Sequence, residues 1–281
     1  LAATTVGDYA LFGGGNSTSK VDAYTTSLVH SAAASLSIGR SFLAATTVGD
    51  YALFGGGDSD AVDAYTTSLV HSAAASLSRG RSDLAATTVG DYALFGGGDI
   101  SGDTVDTYTT SLVHSTAASL SWGRRDLAAT TVGDYALFGG GNSTNKVDAY
   151  TRFLTHINAS TLSRGRSDLA ATTVGGYALF GGGDISGDTV DTYTTSLVHS
   201  TAASLSWGRR DLAATTVGDY ALFGGGNSTS KVDAYTTSLV HSAAASLSIG
   251  RSFLAATTVG DYALFGGGNA GGNVVDAYTA S

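Results

Sequence analysis

The sequence predicts an all-β propeller of seven blades, each of four antiparallel strands, with the last blade three-stranded. Three observations carry this reading. The run LAATTVG begins at Leu1, Leu43, Leu84, Leu127, Leu169, Leu212 and Leu254, so one unit recurs every 41 to 43 residues along the whole chain. Repetition on that scale marks an array of one supersecondary unit. The composition is that of strands and turns: 39 Gly, 14 Tyr and abundant Thr and Val, with no Pro, Cys or Met, and all 23 acidic residues are Asp. Each complete copy carries four short strand signals separated by turn signals, the content of one propeller blade.

Within the first copy the elements follow in order. Leu1–Val6 is a run of small, β-branched and apolar residues, suited to an innermost strand where blades converge. Gly7-Asp8 suits a tight turn. Tyr9–Phe12 is a second strand, closed by Gly13-Gly14-Gly15, and Asn16–Lys20 is a polar loop. Val21–Thr25 alternates apolar and polar residues and predicts a third strand. A turn at Thr26-Ser27 precedes a fourth strand within Leu28–Leu36, and Ser37–Phe42 links to the next copy. The blades so defined are 1–42, 43–83, 84–126, 127–168, 169–211, 212–253 and 254–281, in a single domain. The alternative is a six-bladed ring with a spare repeat.

An apolar strand ending in glycines, a polar loop, and an aromatic in the next strand form a recognisable motif. YALFGGG followed by VDAY, with Gly39-Arg40 leading into the next copy, resembles the kelch repeat over essentially the whole chain. No copy has the Gly-His or Trp-Asp pairs of WD40 repeats. Kelch blades usually place a Trp several residues after the Tyr. Here the neighbourhood holds His30, His71, His114, His156, His199 and His241, a smaller aromatic wedge. The resemblance implies that the glycines end the second strand where it crowds the next blade. It also implies inter-blade ion pairs between Asp22, Asp63, Asp106, Asp148, Asp191, Asp233 and Asp276 and Arg40, Arg81, Arg124, Arg166, Arg209 and Arg251. A guanidinium fork on a carboxylate would fix blade register.

Chemistry-bearing constellations are scarce. Equivalent His on different blades cannot meet at one ion, since zinc needs nitrogens about 2.0–2.1 Å away. Asp99, Asp103 and Asp106, their repeats Asp184, Asp188 and Asp191, and Asp58, Asp60 and Asp63 are carboxylate sets that match no EF-hand spacing. They read as Asx-rich turns, with calcium as the sharper alternative. No metal or other cofactor is expected. A kelch enzyme such as galactose oxidase is the third reading: there is no Cys for a thioether-linked Tyr and no His/Tyr copper set. The chain is therefore read as non-catalytic.

Net charge is −9, with only three Lys, which disfavours nucleic acid and anionic lipid. No run approaches 18 apolar residues, so membrane insertion is not expected. A monomer is expected. Sequons at Asn16, Asn142, Asn158 and Asn227 would matter in a secreted or cell-surface chain, the location expected here.

Comparison of the copies locates a candidate site. They differ mainly in the loop between strands two and three and in the link to the next copy. Alternating strand direction puts both on one face. That face carries the only tryptophans, Trp122 and Trp207, with Phe42, Phe253, Arg125 and Arg210 nearby. Exposed Trp, Phe and Arg are favoured at recognition surfaces. The expected function is a non-catalytic binding scaffold for an unidentified protein or carbohydrate. The alternative is a purely structural repeat, engineered or recently amplified, without a ligand.

Overall fold

The computed structural model describes every residue except Ile100, Ile185, Ser186, Gly271 and Ser281. Ile100, Ile185 and Ser186 sit in the variable loops singled out from sequence, and those positions lie outside the described residues. The described chain is all strand and turn. Seven antiparallel sheets, six four-stranded and one three-stranded, form a seven-bladed β-propeller. Each sheet follows chain order from inner to outer strand. In blade 1 the strands are Ala2–Val6, Tyr9–Gly13, Val21–Thr25 and His30–Ala32. In blade 7 they are Ala255–Val259, Tyr262–Gly266 and Val275–Tyr278.

Local chemistry sets each element. Val6 faces Tyr9 across a two-residue loop. Gly7 has φ of 52° and Asp8 is not left-handed, the pattern of a type II′ hairpin turn. On the second strand, a Cβ on Gly13 would lie 2.8 Å from a ring carbon of Phe54 in the next blade. Only glycine admits that approach.

The core is distributed between blades. Leu53, Val62 and Leu77 of blade 2 pack with Leu84, Phe95 and Tyr108 of blade 3 in one buried cluster, and the same arrangement recurs around the ring. Phe95 meets Tyr108 edge-on, with centroids 5.9 Å apart.

Threonines tie the inner strands together. Those strands present a free backbone edge to the central channel, an arrangement that leaves carbonyls unpaired. The Thr47 hydroxyl donates to the Thr5 carbonyl of the preceding blade, and Thr88, Thr131, Thr173, Thr216 and Thr258 do the same in turn. Thr5 donates to the Thr258 carbonyl, so the belt closes between blade 7 and blade 1. Fourteen threonines line a central cavity of about 550 Å³. Gly266 likewise approaches Phe12 as Gly13 approaches Phe54. Among the described residues the contact between blade 7 and blade 1 is made by inner, second and third strands, with Phe12, Val259 and Leu264 packed beside Tyr24 and Val275.

Candidate binding face and the blade junctions

The buried polar residues and the face they support are built from the same links. Each link leaves an outer strand at the rim, passes an Arg under the face, and enters the next inner strand at the channel. Arg124 is fully buried and its Nη2 lies 2.7 Å from Asp148 Oδ2 and 3.0 Å from the Phe138 carbonyl. The other oxygen of Asp148 accepts from the Ser121 amide at 2.9 Å and meets His156 Nε2 at 2.7 Å. Arg40–Asp63, Arg81–Asp106, Arg166–Asp191, Arg209–Asp233 and Arg251–Asp276 repeat the arrangement. Each Arg meets the Asp of the following blade. The contact is a single nitrogen, not a fork, because Nη2 is shared with the Phe carbonyl and Oδ1 is already occupied.

Burial works against charge on Asp148, but Arg124, the Ser121 amide and His156 outweigh it and hold the carboxyl below the usual range. Asp233 is held low in the same way, burial being outweighed by His241, the Ser206 amide and Arg209. The buried Tyr hydroxyls donate across the junction, as Tyr65 does to the Ala34 carbonyl at 2.8 Å. These carboxylates are saturated structural acceptors. His30 and its counterparts stack on the Tyr of their own blade, with centroids about 5.0 Å apart for His30 and Tyr24.

Asp22 is the correction to the expected set of ion pairs. Among the described residues it meets only His30, at 2.7 Å, and its side chain is 49% exposed. Its guanidinium would have to come from a link following blade 7, and the described residues contain none. The carboxylate sets read as calcium alternatives do not converge. Asp106 faces Arg81 and Asp99 lies 3.6 Å from Arg79. Among the described residues no group of three His or Asp is placed to hold a metal.

The structure divides the six candidate binding residues into two places on the variable face. Trp122 and Trp207 stand on the outer half of their links, 64% and 61% exposed, and take part in none of the described ring contacts. Phe42, Phe253, Arg125 and Arg210 lie at the channel mouth. Phe42 and Phe253 are half exposed and left-handed, with φ of 56° and 58°. Arg125 pairs with Asp126 at 3.3 Å and Arg210 with Asp211 at 3.4 Å.

Sequence reasoning missed the residues that complete this mouth. Asp83, Asp126, Asp168 and Asp211 occupy the position that Phe42 and Phe253 hold in other copies, directly before the LAATTVG run. All share left-handed backbone. Their amides form a belt: Asp83 donates to Phe42, Asp126 to Asp83, Asp168 to Asp126, Asp211 to Asp168 and Phe253 to Asp211, at 2.9–3.0 Å. The mouth is therefore acidic along one arc and aromatic at both ends of it. Phe42, Asp83, Asp126 and Asp168 border a shallow cavity of about 180 Å³ there. Partial burial raises the Asp211 carboxyl to about 6, with Asp168 adding to the rise and Arg210 opposing it. Asp83, Asp126 and Asp168 are raised for the same first reason, burial. The signal that could have found this ring was alignment of the copies on their first Leu.

The opposite face is not wholly uniform. Blade 4 replaces the usual Thr-Ser pair by Arg152-Phe153, with Phe153 75% exposed and the Arg152 guanidinium 4.8 Å from its ring centroid.

No family model matches the chain, and no curated protein matches it. Matching chains of solved structures number 935, a breadth that tells of a common fold and not of an activity. One, described as "Structure of YjhT", superposes with a TM-score of 0.68 at 14% identity, covering 84% of this chain and 93% of that one. At that identity the likeness concerns the fold alone: the chain is a seven-bladed β-propeller.

Proposed function

We propose that this propeller is a kelch-like, non-catalytic binding scaffold that takes a protein or carbohydrate partner on its variable face. One observation carries the reading. The large side chains that differ between copies, Trp122, Trp207, Phe42 and Phe253, are solvent-exposed on a single face, where stacking and apolar contact are available to a partner. The junction aspartates are occupied by Arg, Ser and His, which argues for a structural role. The mouth aspartates lie side by side in similar surroundings, which does not separate an acid from a base.

The test is a glycan and protein array screen of the purified chain beside a Trp122→Ala/Trp207→Ala variant. Binding that the double variant loses is the expected result and names the ligand class. No binding by a well-folded chain would return the protein to a purely structural repeat.

A further inference from the structure

The hydroxyls of the central channel can be assigned proton by proton. Thr47 gives its single proton to the Thr5 carbonyl. Its 2.8 Å contact with the Thr4 hydroxyl is therefore made by the Thr4 proton. The same two-step relay recurs at every junction, at 2.8–2.9 Å between hydroxyls. It closes where Thr257 donates to Thr5 and Thr5 to the Thr258 carbonyl. All fourteen threonines lining the cavity of about 550 Å³ thus have their protons committed. Among the described residues nothing donates to the oxygens of the first ring, Thr4 and its equivalents. The side chains of the wall offer lone pairs and no free O–H. Carboxylates stand at both ends. At the variable-face mouth Arg125 and Arg210 offset Asp126 and Asp211, while among the described residues Asp83 and Asp168 form no ion pair. At the other end the hairpins leaving the inner strands carry Asp8, Asp50, Asp91, Asp134, Asp219 and Asp261, all exposed. The inner strand between the two ends, Ala85–Val89 in blade 3, has five residues and is about 17 Å long.

We propose that the channel is a binding site for a linear polyammonium cation lying along its axis. A wall of accepting oxygens calls for a guest that donates, and an ammonium N–H meets that need at the Thr4-type oxygens. A compact ion held at one level would leave the carboxylates of the far end uncompensated. A chain of ammonium groups joined by methylenes serves the wall and both ends together, and its methylenes need no polar partner. An anion would face lone pairs along the wall and carboxylates at either entrance. The site is separate from Trp122 and Trp207, which stand on the outer half of their links, so it does not rest on the partner proposed for them.

The test is a calorimetric titration of the full chain with spermine at about 0.15 M salt. A net charge of −9 attracts any polycation, so the controls must separate the channel from the general field. Saturable binding of one spermine per chain is expected. A Thr46→Val/Thr130→Val/Thr215→Val variant removes three free acceptors, keeps the β-branched shape and leaves the Thr88, Thr173 and Thr258 bonds to carbonyls in place. It should bind spermine at least about tenfold more weakly. Should that variant fail to fold, a fully quaternised spermine on the wild-type chain still decides. It has the same charge but no N–H to donate, and it too should bind at least about tenfold more weakly. Absence of saturable binding by the folded chain would overturn the proposal. So would equal binding of the quaternised guest, equal binding by the folded Val variant, or complete displacement of spermine by Mg²⁺ at equal total charge.

Discussion

The aspartates at the blade junctions and those at the channel mouth are the same residue in opposite circumstances. Asp148 is fully buried yet charged, because a guanidinium, an amide and an imidazole surround it. Asp168 is only partly buried yet raised, because burial and its neighbour Asp126 are not balanced by an equivalent cation. The first set spends its charge on holding blades in register. The second is kept in a place that disfavours it, on the face where the copies differ. Residues that fit their surroundings explain the frame, and residues that do not fit mark where to look for a partner.

Removing a junction cation should give the largest effect. Arg124→Ala leaves Asp148 buried without its charge partner and is expected to destabilise the chain by about 3–5 kcal/mol, measured by denaturant unfolding. A loss below about 1 kcal/mol would mean that the junction pairs contribute little.

The pH dependence separates the two sets by sign. Asp148 and Asp233 have lowered folded values, so their contribution is complete above the unfolded value near ~3.9 and is lost as pH falls below it. The mouth set is raised, with Asp211 at about 6. The folded state there binds protons more readily than the unfolded one, so stability increases as pH falls from about 6 towards ~4. The thermal midpoint should therefore peak on the weakly acidic side and fall steeply under stronger acid. In an Asp83→Asn/Asp126→Asn/Asp168→Asn/Asp211→Asn variant the rise between pH 7 and 5 should disappear while the acid limb stays. A midpoint flat from pH 7 to 5 in the wild type would contradict the account of the mouth.

Single neutralisation at the mouth should be mildly favourable. Asp168→Asn is expected to raise stability at pH 7 in the same unfolding assay, since burial and the neighbouring Asp126 disfavour the charged carboxylate in the folded state. The smallest change is expected at Asp22→Ala. That carboxylate is half exposed and among the described residues meets only His30, so the loss should stay under about 1 kcal/mol in the same unfolding assay. A loss as large as that of Arg124→Ala would show that Asp22 is embedded like its sisters.

The sequence made the frame legible because it repeats itself. Seven LAATTVG runs, the glycine-terminated second strand and the VDAY strand stand out without any three-dimensional information. The outer strands stood out less: His30–Ala32 is three residues long within the broad Leu28–Leu36 segment. The Asp and Arg positions also recur, but spacing alone cannot tell which carboxylate an Arg meets, since each lies between two. The ring decides, by laying every link across the next blade. That geometry also sets Asp22 apart, since among the described residues it meets His30 and no guanidinium. The mouth ring escaped notice because Asp83 and its equivalents read as ordinary link residues. Their shared left-handed backbone and mutual approach exist only once the links converge on the channel. For the same reason Trp122 and Phe42 could be placed on one face but not apart on it, at rim and mouth.

The measurement that bears most directly on the central claim is a calorimetric titration of the strongest array ligand. It would compare the wild type, the Trp122→Ala/Trp207→Ala variant and a Phe153→Ala variant of the opposite face. The account predicts binding that the Trp variant weakens at least about tenfold and Phe153→Ala leaves unchanged. Loss confined to Phe153→Ala, or no ligand for a folded chain, would contradict it.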